Sequence, residues 1–169
     1  MPAGAITICK FVGTISLGLL TGVSTTLTTV SLPALLTLPT AINARTTLSY
    51  LTTRNKALSS YLRHIATFAL FSAYLLSPRR FRHPYLLYTS LFTFASGPGV
   101  DYALALRDGT SQRSKESELE LDLEAQGDDV NGEQVRLKVE KLQFVESVRM
   151  GVEGLAFAMG VVGIWGDGA

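Results

Sequence analysis

Three ionisable side chains stand inside or at the edge of apolar runs in this 169-residue chain: Arg63, Asp101 and Glu153. Charged groups held among apolar helices can pass an ion or proton through a bundle, or can clamp the helices by ion pairing. Spacing favours the second use. Glu153 follows Arg149 by one helical turn, so the two are expected to pair. Asp101 has Arg107 nearby as its expected relief. Arg63 opens an uncharged stretch and is expected to reach back toward headgroups along its own aliphatic stem. Other chemistry is thin. His64 and His83 lack a second metal-ligating residue three or four positions on. Cys9 is the single thiol, so no intrachain disulfide can form. No phosphate-binding glycine loop, nucleophile elbow or dinucleotide fingerprint occurs. Residues 1–100 contain no carboxylate to act as a general base, and no enzymatic activity, cofactor or metal is expected.

The elements that position these groups follow from where charge is missing. Residues 1–100 hold eight Lys or Arg and no Asp or Glu, whereas residues 101–169 hold all fourteen acids and the other seven bases. A soluble domain disperses both signs over its surface, while membrane segments joined by short loops need only anchoring cations. The net charge of +1 gives no reason to expect a nucleic-acid partner. The fold class expected is an all-α membrane protein of about four transmembrane helices, with an acidic, partly disordered loop before the last.

The first expected span, 11–32, is uncharged and twenty-two residues long, roughly 33 Å as a helix against a hydrocarbon core of about 30 Å. Its threonine-rich end is tolerable because hydroxyls can bond the helix's own carbonyls. Thr14, Gly18 and Gly22 fall four apart on one face, a small-residue pattern suited to close helix approach. A cleaved secretory signal is the rival reading, but the run is long for one and lacks a small-residue cleavage site. Residues 33–56 read as a loop containing a short interfacial helix. The second span, 57–77, is long enough only if Arg63 and His64 lie in its first turns, and Ser77-Pro78 ends it. The third, 84–106, is interrupted by Gly97-Pro98-Gly99 and is read as a kinked helix.

The segment 107–132 is an acidic polar loop in which Ser114 and Ser117 are candidate phosphorylation sites. From residue 133 a helical rhythm of Val135, Val139 and Leu142, with an Arg136–Glu140 pair, leads into the fourth span, 150–166. Gly154 and Gly160 there offer small surfaces for packing, and Trp165 is an interfacial anchor. With four spans, loops 33–56 and 107–149 share a side and carry more Lys and Arg, which places the acidic loop in the cytosol.

The stretch 79–88 joins the second and third spans. Its arginines, a helix-starting proline and two tyrosines are what a membrane–water boundary selects. Within it, Arg82-His83-Pro84-Tyr85-Leu86-Leu87-Tyr88 resembles a signature of the fungal autophagy-related protein 33 family. The terminal Gly163-Ile164-Trp165-Gly166-Asp167-Gly168 and the Ile15-Ser16-Leu17-Gly18 region resemble it too. The resemblance implies a multi-pass protein of the mitochondrial outer membrane that promotes selective autophagy of mitochondria. It brings no catalytic residue or cofactor, and its implied partners are the lipid bilayer and other mitochondrial or autophagy membrane proteins. Receptors for the ubiquitin-like autophagosome protein present an aromatic residue followed at the third position by Leu, Ile or Val. Here Phe144, the sole aromatic of 107–149, is followed by Ser147. An accessory factor is therefore expected rather than the tethering receptor. Two alternatives remain: a small transporter or channel-like protein using Arg63, Asp101 and Glu153, and a soluble helical bundle that needs no detergent.

Overall fold

The computed structural model describes residues 3–78, 83–107 and 132–166, which are almost entirely helical. Helix α1 (Ala3–Thr26) continues through a π-helical turn, Leu27–Ser31, into α2 (Leu32–Leu35). Helix α3 spans Ala41–Leu76 and α4 spans Pro84–Phe94. A second π-helical turn, Ala95–Gly99, leads into α5 (residues 100–107), and α6 spans Gly132–Gly166. Both widened turns accommodate a proline. Pro33 follows the first and Pro98 lies within the second, and a proline ring cannot share an ordinary α-turn with the carbonyl four residues before it. The amide of Leu32 accordingly reaches back to Leu27, and that of Val100 to Ala95, each five residues away. The chain bends here without breaking.

Local chemistry sets the other boundaries. Three turn hydrogen bonds close the first connection, from Leu36 to Pro33, Thr37 to Ala34 and Leu38 to Leu35. Thr40 then caps α3, its hydroxyl accepting from the amide of Asn43 at 3.4 Å. Nothing interrupts α3 before Ser77, held extended ahead of Pro78. The expected loop over 33–56 is thus mostly helix, because this cap and a run free of Pro and Gly let α3 start sixteen residues before Ala57. Pro84 begins α4 after an extended His83. Hydroxyls of Thr21, Thr25, Thr26 and Thr29 donate to carbonyls four residues back at 2.7–2.9 Å, which satisfies the polar end of α1 without outside acceptors.

The helices pack antiparallel in the cyclic order α1, α3, α4, α6, and α3 and α6 also meet each other. One apolar cluster joins all four through Leu17, Leu20, Ala66, Leu70, Ala73, Leu86 and Ala156. A second, toward the other end, joins α1–α2, α3 and α6 through Leu27, Leu32, Leu35, Ala44, Leu48, Val135 and Val139. Many other large apolar residues are turned outward: Phe68 is 76% exposed and Trp165 83%, while Ser96, Thr89 and Thr93 are fully buried. Two stretches, Gly4–Leu35 and Gly132–Gly166, are long and apolar enough to cross a membrane.

Candidate functional site

Between the two apolar clusters lies one polar layer, to which each long helical stretch contributes a side chain. Ser24 comes from α1, Arg63 from α3, Ser96 from the π-helical turn after α4, and Glu153 from α6. Glu153 is completely buried. It accepts hydrogen bonds from Ser24 Oγ at 2.6 Å and from Ser96 Oγ at 3.2 Å. Arg63 Nη2 completes its shell at 3.3 Å, and Arg63 Nε donates to Ser96 Oγ at 3.1 Å. The guanidinium, 13% exposed, lies over Gly97, where an added Cβ would stand 2.7 Å from Cζ. A side chain at this position would push the guanidinium aside from its present seat.

The layer corrects three sequence expectations. Arg63 turns inward to Glu153 instead of reaching back along its own stem, because a buried carboxylate at the same level offers it an ion pair. Glu153 makes no bond to Arg149; its face of α6 points at α1 and α4, while Arg149 points elsewhere. Arg149 instead binds buried Glu146 at 2.6 Å and also pairs with Asp101 of α5. Asp101 is therefore relieved by Arg149 and not by Arg107, whose guanidinium stacks on Phe144 with 5.3 Å to the ring centroid. Of the three ionisable residues singled out, two converge and Asp101 stays at the outer surface, its side chain 59% exposed. The Arg136–Glu140 pair forms as the spacing predicts, at 2.9 Å on the outside of α6.

The small residues divide likewise. A Cβ on Gly18 would lie 2.9 Å from Phe157, so α1 and α6 touch here. Positions for a Cβ at Gly160 and Gly154 lie in ordinary contact with Thr89, Thr14 and Thr21. Gly22 differs: it faces open space and packs against no helix. Gly163 receives the ring of Tyr85, and Leu86 lies in the four-helix cluster. His83 stands at the head of α4, with its ring 6.1 Å from that of Tyr85, and Tyr88 is exposed. Leu87 bonds Ser90 Oγ through its carbonyl, and exposed Gly166 closes α6 after Trp165. Arg82, Ser114, Ser117, Asp167 and Gly168 lie outside the described residues. Sequence reasoning missed Ser24, Ser96, Gly13 and Gly97. The signal for Gly97 was present in the Ser-Gly-Pro-Gly run, but it read only as a bend.

Among the described residues, fold and site thus define a helical bundle with two apolar stretches of membrane-crossing length and a polar layer at its middle. The sequence profile described as Autophagy-related protein 33 matches residues 1–103. Autophagy-related protein 33 of Gibberella zeae is 38% identical over 184 residues, covering 98% of this chain and 93% of that protein. The chain belongs to the Autophagy-related protein 33 family. No solved structure matches it.

Proposed function

We propose that this protein is a non-enzymatic, multi-pass component of the mitochondrial outer membrane that promotes selective autophagy of mitochondria as an accessory factor. Family membership supports the autophagy role. The observation that carries the membrane part is the inverted distribution of side chains. Hydroxyls and a salt bridge share the interior with leucines, valines and alanines, while many aromatic rings and large aliphatics, such as Phe11, Ile15, Leu19, Phe68, Leu75, Leu91 and Val162, face out. In water this arrangement would expose the apolar surface that folding is driven to bury; in hydrocarbon it costs nothing. Helix lengths fit four crossings. The α4–α5 segment crosses with its π-helical bend, and α3 and α6 continue past the bilayer as the arms around the second apolar cluster. The side bearing those arms and the acidic loop faces the cytosol on the positive-inside argument.

Deleting the gene and following a mitochondrial matrix reporter under starvation tests the role, with slowed reporter turnover expected. Turnover equal to that of unmodified cells rejects it. Resistance to alkaline carbonate extraction is the matching test of membrane integration.

The transport reading needs Arg63, Asp101 and Glu153 in one water-accessible path. The polar layer gives both Glu153 oxygens protein partners, and Asp101 is outside it. A clamp between helices accounts for these contacts better than a path does.

A further inference from the structure

A groove of about 480 Å³ opens sideways between α3 and the bent α4–α5 segment. Its two ends differ in chemistry. Arg63 and Ser96 meet across it and the helices run antiparallel, so Ser60 and Asp101 lie toward the charged end of the bundle. Phe68 and Phe71 lie one to two turns deeper, beside outward-facing Phe94. The groove is polar where the proposed bilayer begins and aromatic where its hydrocarbon follows.

Four polar atoms of the lining lack hydrogen-bond partners among the described residues. Arg63 uses Nε and Nη2 but not Nη1. Thr67 Oγ1 is buried and unbonded. Asp101 engages Arg149 through Oδ1 alone, which leaves Oδ2. His64 Nδ1 lies 2.6 Å from the carbonyl oxygen of Ser60, which can only accept. Nδ1 therefore carries a proton toward that carbonyl, and Nε2 makes no bond within the bundle. Of these atoms Thr67 Oγ1 is buried, and the other three face the groove mouth, where a headgroup or water can meet them.

We infer that this groove binds one phospholipid with a primary-ammonium headgroup, phosphatidylethanolamine, from the surrounding bilayer. The inference rests on the membrane-spanning reading above. The headgroup phosphate accepts from Arg63 Nη1, and the ammonium donates to His64 Nε2 and Asp101 Oδ2. An acyl chain lies along Phe68, Phe71 and Phe94. A cation and an anion lining one groove match a zwitterion, and two waiting acceptors match an ammonium that has N–H bonds. The quaternary headgroup of phosphatidylcholine has none to offer.

Full-length protein reconstituted in phosphatidylcholine nanodiscs, doped with spin-labelled ethanolamine, choline or serine phospholipid, tests this by the motionally restricted fraction. The ethanolamine lipid should be retained about tenfold over the choline lipid, the discrimination of one hydrogen bond to a charged group. His64→Phe keeps a ring at an exposed position and removes one of the two acceptors, so it should lower the ratio about threefold; Asp101→Asn, which keeps an acceptor oxygen but removes the charge, should lower it by less, and a ratio unmoved by either change overturns the assignment of the headgroup to these residues. A ratio near one in the unmodified protein overturns the inference while leaving membrane integration intact. Equal retention of the serine lipid overturns the ethanolamine assignment. Failure to enter nanodiscs at all overturns both the groove and the membrane reading.

Discussion

Around Leu17, Leu70, Leu86 and Ala156 the bundle is four helices thick, and its outer surface carries Phe11, Ile15, Phe68, Leu91 and Val162. Around Leu32, Leu48 and Val139 it is three helices thick, and its outer surface carries Arg54, Lys56, Glu133, Arg136, Glu140 and Lys141. The interiors are alike, leucine, alanine and valine in both. The exteriors are unlike, so the surroundings change between the two while the packing logic does not. Helix contacts in either solvent need complementary shapes, but only water demands charge on the outside. The Arg63–Glu153 layer sits at the join, where it ties all four long stretches at one level.

The sharpest way to break this comparison is to unpair the layer. Arg63→Leu or Glu153→Leu alone leaves a buried charge and should cost about 3–5 kcal/mol, whereas the double change Arg63→Met with Glu153→Met should recover most of it. Thermal unfolding in detergent micelles reads the difference. A double variant no better than either single one would mean that the pair does not act as a unit.

Charge placed on the two exteriors should separate them next. Phe68→Lys sets an ammonium into the proposed hydrocarbon zone and should cost about 2–3 kcal/mol, lowering the carbonate-resistant fraction. Leu137→Lys, on the exposed outer face of α6, should stay within about 0.5 kcal/mol of the parent. Equal effects at both sites would abolish the distinction between the two ends.

Glycine substitutions sharpen the picture at the smallest scale. Gly13→Ala drives a methyl into Leu70, 2.7 Å from its Cγ, and should cost about 1 kcal/mol by overpacking. Gly22→Ala meets open space and should gain about 0.5–1 kcal/mol from helix propensity. Opposite signs of the shift in melting temperature are the expected result.

Much of the architecture is legible in the residues. Pro84 as a helix start, Ser77-Pro78 as a stop and the bend at Gly97-Pro98-Gly99 are local events, decided within a turn by ring geometry and a missing amide. The helical period of Val135, Val139 and Leu142 likewise puts them on one buried side. No interruption occurs before Ala57: polar residues on one side do not break a helix free of Pro and Gly, and α3 runs through with its apolar side on the π-helical turn, α2 and α6.

Partner choice among the charged residues is a different matter. Arg149, Glu153, Asp101 and Arg107 are close in sequence to plausible partners, and all four take more distant ones, Arg149 while also keeping neighbouring Glu146. Residues alone determine which segments are helices, where they bend and which of them are apolar, because those depend on neighbours a few positions away. The order of the helices around the bundle, and their rotation about their own axes, bring Ser24, Arg63, Ser96 and Glu153 to one level. That meeting is a property of the packed whole, since an ion pair in a low-dielectric interior forms only where several helices close around it together.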